Sequence, residues 1–162
     1  MTDRKIISAD EAASVSRRMR AAKEHLVFTN GCFDLLHVGH VRYLEAARHC
    51  GDALLVAVNG DQSVRVLKGA GRPINSQLDR ATVVAALECV TCVVIFEEVR
   101  ATALLRKIAP AVYVKGGDYS VETLDAEERA ALEEIGAQIQ IVTFAAGYST
   151  SSLVERLERS RA

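Results

Sequence analysis

The chain has 162 residues, 49% of them hydrophobic and 25% charged, which is the composition of an ordinary folded protein. Twenty Lys and Arg face 21 Asp and Glu, for a net charge of −1, and this balance argues against a polybasic protein that binds nucleic acid or anionic lipid. No apolar run approaches the roughly 20 residues of a transmembrane helix, and no signal-peptide core follows Met1, so we expect a cytoplasmic protein.

Apolar runs alternate with helical patterns along the chain. Ser8 and Glu11 form the Ser-x-x-Glu pattern of a capping box, which predicts that the first helix begins there. The predicted helices cover residues 8–23, 38–50, 76–89, 101–109, 125–135 and 153–159. The predicted strands cover residues 25–30, 53–58, 92–96, 111–114 and 138–144. Residues 59–75 are predicted to be mixed and polar, with a loop at 68–73.

The predicted strands are apolar throughout, as strands covered on both faces must be. Alternation of such strands with helices predicts an α/β fold, a Rossmann-like doubly wound sheet of five parallel strands. The length predicts a single domain over residues 1–162, with a helix in residues 1–24 packed on it. Ligands of such sheets bind beyond the carboxyl ends of the strands, where the strand order reverses. The segments that follow the strands are therefore the candidates for chemistry.

The loop after the first predicted strand carries two histidines, His37 and His40, three residues apart. At this spacing both rings face the same side of a helix start, and Gly39 between them lets a ligand approach the backbone. The N–H groups and dipole of the next helix favour phosphate, to which both imidazoles can donate. Asp34 could orient one imidazole or help hold a divalent metal. A zinc site or a helix start without function are the alternatives.

A longer pattern includes these histidines: Gly31-x-Phe33-Asp34-x-x-His37-x-Gly39-His40. It resembles the signature of the HxGH nucleotidyltransferase superfamily, near its cytidylyltransferase branch. Segments 68–73, 80–88, 114–119 and 148–152 follow in the order expected. Together they are most similar to the heptose 1-phosphate adenylyltransferases of ADP-heptose synthesis, which elsewhere form the C-terminal half of a bifunctional kinase–adenylyltransferase. With no kinase half in the sequence, the chain resembles the stand-alone form.

The resemblance implies a nucleotidyltransferase fold and a reaction in which heptose 1-phosphate and ATP give ADP-heptose and pyrophosphate for lipopolysaccharide core or surface glycan synthesis. A sugar phosphate is already largely a dianion at neutral pH, so its oxygen needs no general base to attack. We therefore expect catalysis by positioning and positive charge. ATP is the expected co-substrate, and Mg²⁺ is expected to bind mainly through its phosphates, with no metal site of the protein's own.

The resemblance also implies roles for individual residues. His37, His40 and Lys68 are the candidate catalytic residues, all at phosphate groups. The candidate nucleotide contacts are Gly31, Cys32, Phe33, Asp34, Gly39, Lys115, Gly116, Asp118, Tyr148, Ser149, Thr150 and Ser151. The candidate contacts to the sugar phosphate are Asn59, Asp61, Lys68 and Arg72. Asn59 and Asp61 could instead form an Asx turn, and Arg72 could pair with a carboxylate.

Other partners and functions remain open at this point. The expected partners are ATP and a sugar 1-phosphate, without nucleic acid or membrane, and the resemblance implies a homo-oligomer, a dimer or tetramer. A CTP-dependent cytidylyltransferase for glycerol 3-phosphate or a similar alcohol phosphate would use the same phosphate contacts. A non-catalytic nucleotide-binding module would be expected to lack His37, His40 or Lys68. Cys89 and Cys92 are interpreted as small buried residues rather than a zinc or redox pair.

Overall fold

The computed structural model describes residues 2–117, 120, 123–142 and 159. The strands in these ranges are β1 Leu26–Gly31, β2 Ala53–Asn59, β3 Cys92–Phe96, β4 Val112–Gly116 and β5 Gln138–Val142. The α-helices are α1 Ala9–Ala21, α2 Val38–Arg48, α3 Asp61–Lys68, α4 Gln77–Ala85, α5 Thr102–Ile108 and α6 Ala126–Glu134. Residues 143–144 of the fifth predicted strand, and all but residue 159 of the predicted helix at 153–159, lie outside the described residues.

The strands form one parallel sheet in the order β3-β2-β1-β4-β5. This confirms the predicted Rossmann-like α/β fold. From β1 the chain builds outward through β2 to β3, and then returns to the other side of β1 to add β4 and β5. The strand order therefore reverses between β1 and β4, and the carboxyl ends of these two strands flank the place where ligands bind in such sheets.

Helices cover both faces of the sheet, because alternate residues of each buried strand point into two separate cores. One core joins the strands to α1, α5 and α6 through Ala12, Leu105 and Leu132. The other joins them to α2 and α4 through residues such as Leu44 and Val84. The cleft described below therefore has walls that come from both layers.

The first helix begins as the sequence predicts. The Glu11 N–H donates to Ser8 Oγ at 3.2 Å, and the Ser8 N–H donates to Glu11 Oε2 at 2.8 Å, which completes the capping box. Just before this cap, the Ile7 N–H donates to the Val93 carbonyl at 2.9 Å, so the N-terminal segment lies along the outer edge of β3. The cap thus fixes where α1 begins against the sheet.

The prediction for residues 59–75 was wrong in one respect, since α3 occupies Asp61–Lys68. The helix has only eight residues, of which Ser63 and Val64 are buried, so the sequence offers too short a pattern to distinguish it from a polar loop. The helix ends at Gly69, whose φ of 93° is a left-handed conformation that a side chain would strain. Lys68 is therefore the last residue of a helix rather than part of a loop.

Two smaller expectations concern membrane-spanning helices and the cysteines. Across the described ranges, none of the helices combines the length and apolar character needed to cross a membrane. All four cysteines are free thiols, and burial raises the pKa of Cys92 to about 11. A buried thiol with a raised pKa is poorly reactive, as expected of a small core residue.

Candidate active site

A cleft of about 580 Å³ opens over the carboxyl ends of β1, β2 and β4. It lies where the strand order reverses, as the fold predicts. The structure brings ten of the sequence-predicted site residues to its walls: Gly31, Cys32, Phe33, Asp34, His40, Asn59, Lys68, Arg72, Lys115 and Gly116. His37, Gly39 and Asp61 lie outside this lining, and the other predicted residues lie outside the described ranges.

The two motif histidines act as caps of α2. The Gly39 N–H donates to His37 Nδ1 at 3.1 Å, and the His37 N–H donates to His40 Nδ1 at 3.3 Å. Their ring centroids are 3.9 Å apart. Because each Nδ1 accepts a hydrogen bond, the proton of each neutral ring is on Nε2. Each ring therefore has one N–H donor left, and that of His40 belongs to a side chain that lines the cleft.

Both imidazoles are neutral at physiological pH. Burial, and to a lesser degree the neighbouring His37, lowers the pKa of His40 to about 4, and burial also lowers the pKa of His37. The Gly39 N–H, which the sequence analysis offered to a ligand, is already used by His37. The start of α2 can therefore bind an anion through imidazole N–H donors rather than through positive side-chain charge.

The ring of His40 is also held from the side. Phe33 packs against it with ring centroids 5.5 Å apart, and Phe33 itself has a φ of 47°. A Cβ at Gly31 would lie 3.0 Å from the Phe33 ring, closer than ordinary contact allows. Gly31 therefore has a packing role, because it makes room for the ring that positions His40.

Asp34 ties two loops together and does not contact either histidine. It is 5% exposed, and its carboxylate accepts from the Ile74 N–H at 2.9 Å, the Asn75 N–H at 3.1 Å and Arg72 Nε at 2.5 Å. Burial alone would raise the pKa of Asp34, but these donors hold it below its usual value. Both oxygens are engaged by N–H groups, so the donor set does not fit a metal ligand. In the described part of the chain, no group of three or more His, Cys, Asp or Glu is placed to hold a metal ion.

Four basic side chains line the cleft, and one of them, Arg100, pairs with Asp125 at 2.7 Å. Lys68 extends from the end of α3 and is exposed, Arg72 is held by Asp34, and Lys115 lies with Nζ 5.9 Å from the centroid of the Tyr113 ring. The alternative in which Arg72 pairs with a carboxylate is the one seen, through its Nε. A guanidinium bound through Nε still has donors on its other nitrogens, which can contact a phosphate.

Asn59 and Asp61 are used by the protein itself. Asn59 lines the cleft, but its Nδ2 donates to the carbonyls of Glu98 and Val99, both at 3.4 Å. Asp61 does not line the cleft, and its Oδ1 accepts from Arg80 Nη2 at 2.9 Å. Arg80 is 1% exposed and also donates to backbone carbonyls of the loops around the cleft, at Cys32, Asn59 and Asn75. The structure thus gives Asp61 a structural contact in place of the predicted sugar contact.

Some predicted residues lie outside the described residues, and the sequence analysis missed others. Asp118, Tyr148, Ser149, Thr150 and Ser151 are in the first group. The cleft residues without an assigned role in the sequence analysis are Asn30, Tyr43, Leu67, Val99, Arg100, Leu124, Asp125 and Glu128. Asn30 could have been found as the polar residue directly before the motif at the end of a strand. Glu128 has no spacing signal, because it lies within α6 and reaches the cleft only through tertiary packing.

The sequence matches the cytidylyltransferase-like family over residues 28–156. It is 46% identical over 156 residues to the bifunctional protein HldE of Geotalea uraniireducens, covering 96% of this chain and 31% of that protein. It is 49% identical over 138 residues to the bifunctional protein HldE of Alcanivorax borkumensis, covering 85% of this chain and 29% of that protein. The chain thus spans about a third of the length of these relatives.

A solved structure has the same fold. The lipopolysaccharide core biosynthesis protein from Thermoplasma volcanium superposes with a TM-score of 0.63 at 26% sequence identity, over 78% of this chain and 99% of that one. The family match covers far more than half of the sequence, including the histidine motif and the strands that position it. The chain belongs to the cytidylyltransferase-like family of nucleotidyltransferases.

Proposed function

We propose that this chain is an adenylyltransferase that transfers AMP from ATP to heptose 1-phosphate, giving ADP-heptose and pyrophosphate. The observation that carries the proposal is the pair of imidazoles with ring centroids 3.9 Å apart, of which His40 lines the same cleft as Lys68 and Arg72, at the reversal point of a parallel sheet. Family membership supports nucleotidyl transfer. The choice of ATP and heptose 1-phosphate rests on the motifs and on the similarity to HldE proteins over nearly the whole chain.

The proposed chemistry joins two anions. An oxygen of the sugar phosphate attacks the α-phosphorus of ATP, the bond to the bridging oxygen breaks, and pyrophosphate leaves with that oxygen. Negative charge moves onto the phosphate oxygens in the transition state. The Nε2–H donors of His37 and His40 and the ammonium of Lys68 are the groups that stabilise it, in a site whose geometry is fixed in advance. Mg²⁺ enters this proposal with the ATP phosphates and needs no protein carboxylate.

The neutral state of the histidines suits this role. A neutral imidazole with Nδ1 already engaged donates through Nε2 without having to lose or gain a proton during the reaction. Positive charge then comes from the ammonium of Lys68 and the guanidinium of Arg72. In this proposal the histidines supply hydrogen bonds to the phosphates, and the basic side chains compensate their charge.

The test is pyrophosphate release measured with each of two nucleotides and two acceptors. We expect release with ATP and heptose 1-phosphate. Release only with CTP and glycerol 3-phosphate would overturn the proposal and identify a cytidylyltransferase. Lack of release with every pair would favour a nucleotide-binding module.

A pair of histidine variants then tests the site. We expect His40→Ala to lower kcat by roughly 10²–10³, the loss typical of one preorganised donor to a transition state. His49→Ala is the matched control, since His49 is exposed at the other end of α2. Equal activity of the two variants would show that His40 has no catalytic role.

A further inference from the structure

One wall of the cleft contains a polar network that the phosphate chemistry does not use. The Tyr113 hydroxyl lies 3.1 Å from Asn30 Oδ1 and 3.4 Å from Glu128 Oε2. The Ala101 N–H donates to the other carboxylate oxygen, Glu128 Oε1, at 3.2 Å. Asn30 and Glu128 both line the cleft, with Tyr113 behind and between them. The network therefore presents two differently polar side chains to a ligand.

Glu128 is a buried carboxylate in the wall of the cleft. It is 6% exposed, and among the described residues no Lys, Arg or His nitrogen lies within 4.0 Å of its oxygens. The nearby Arg100 pairs instead with Asp125, at 2.7 Å. The Tyr113 hydroxyl has one proton, which it donates to the nearer Asn30 Oδ1, so among the described groups Glu128 accepts only from the Ala101 N–H and Oε2 keeps its acceptor capacity. A buried charge of this kind is costly to the fold, and such costs are found mainly at functional sites.

The charge of Glu128 selects the chemistry of its ligand. A phosphate would be repelled by the carboxylate, whereas a hydroxyl group would donate to it. Asn30 supplies the complementary group, because its Oδ1 accepts from Tyr113 and its Nδ2 is left to donate. A hydroxyl group both donates and accepts hydrogen bonds. Neighbouring hydroxyls of a polyol can therefore donate to the Glu128 carboxylate and accept from Asn30 Nδ2.

The network lies on the other face of the sheet from the motif histidines. Tyr113 points into the core shared with α1, α5 and α6, whereas α2, which carries the histidines, covers the opposite face of the sheet. Lys68 and Arg72 enter the same cleft from the end of α3 and the loop that follows. A ligand with its phosphate at the basic side chains can therefore extend its uncharged part along the cleft toward Glu128.

We propose that Glu128 and Asn30, oriented by Tyr113, bind hydroxyl groups of the sugar moiety of the acceptor sugar 1-phosphate. The inference rests on the proposed function, which supplies a sugar phosphate as the second substrate. These side chains would then distinguish an acceptor with many hydroxyl groups from one with fewer. A site that pairs with a hydroxyl rejects analogues without it far better than an apolar site does.

The test uses Glu128→Gln, a change of nearly constant volume. The amide oxygen can still accept from the Ala101 N–H, and the Tyr113 hydroxyl can accept from the amide NH₂, so we expect the fold to be retained. Glu127→Gln is the matched control, because Glu127 is the exposed neighbour on α6 and loses the same charge. KM for ATP, KM for heptose 1-phosphate and kcat are measured for both variants and the wild type.

We expect Glu128→Gln to raise KM for heptose 1-phosphate about tenfold, the difference between a charged and a neutral acceptor, with KM for ATP and the Glu127→Gln values unchanged. An unchanged KM for the sugar phosphate would overturn the inference. A rise in KM for ATP alone would overturn it in favour of contacts to the nucleotide ribose. Lack of pyrophosphate release by wild type and control would instead refute the proposed function, and the inference with it.

Discussion

Replacement of Asp34 by Asn should destabilise the protein through the loop contact rather than through a metal site. The variant keeps one carbonyl oxygen for the Ile74 and Asn75 N–H groups, but Arg72 Nε loses its charged acceptor at 2.5 Å and faces an NH₂ group. One hydrogen bond between charged groups contributes about 1.5–3 kcal/mol. Because the Arg72 side chain is 22% exposed, solvent screens part of the pair, and we expect a loss of about 2 kcal/mol in the free energy of unfolding.

Urea unfolding followed by circular dichroism measures this loss. With a denaturant slope of about 2 kcal/mol per M, the midpoint should fall by about 1 M. Asp10→Asn is the control, because it breaks the ion pair of Asp10 with Lys107 at a side chain that is 86% exposed, and its midpoint should hardly move. Equal urea midpoints for the two variants would refute the stabilising loop contact assigned to Asp34.

The stability difference between wild type and Asp34→Asn should depend on pH. The pKa of Asp34 lies below its usual value in the folded protein, so the stabilisation by its carboxylate is fully present above the pKa of the unfolded chain and is lost as the pH falls through the folded pKa. The difference between wild type and Asp34→Asn should therefore be constant from pH 8 to pH 5 and shrink below pH 4. A difference that persisted unchanged at pH 3 would contradict the lowered pKa.

Two further predictions follow from buried groups of the site. In an NMR titration the His40 ring should protonate near pH 4, because burial lowers its pKa. The stabilisation by the neutral ring is therefore present above pH 6.5, the pKa of a histidine in the unfolded chain, and is lost as the pH falls toward 4. A titration near pH 6.5 would contradict the burial of His40. Arg80→Lys should cost about 3 kcal/mol, because one ammonium cannot replace the guanidinium bonds to Asn75, Asn59 and Asp61. The control Arg106→Lys changes only an exposed pair with Glu134, and equal urea midpoints would contradict the role of Arg80.

The strands and the histidine motif could be predicted from sequence because their signals are local. An apolar run bounded by a glycine, such as residues 25–30, marks a buried strand without further information. His37 and His40 are three residues apart, so their proximity on a helix start follows from helix geometry. The fold class followed in turn from the regular alternation of such strands with helices.

The contacts that could not be predicted join residues far apart in the chain. Asp34 accepts from backbone groups 40 and 41 residues away, and no pattern around either segment records the pairing. Glu128 reaches the cleft because α6 packs beside α5, a consequence of the whole fold. The helix α3 was missed for a different reason, since a helix of eight residues is too short for its pattern to be distinguished from a polar loop.

The charge distribution of the site is compatible with both a net charge of −1 and the two anionic substrates that we propose. Arg80 is buried within the structure, Arg72 is paired through its Nε and Arg100 pairs with Asp125, whereas Lys68 is exposed at the cleft. Binding of phosphates then depends on N–H donors held in a fixed geometry and on cations at the cleft, rather than on the net charge of the protein. Such a site attracts small anions at short range without the excess charge that would make the whole protein bind nucleic acid.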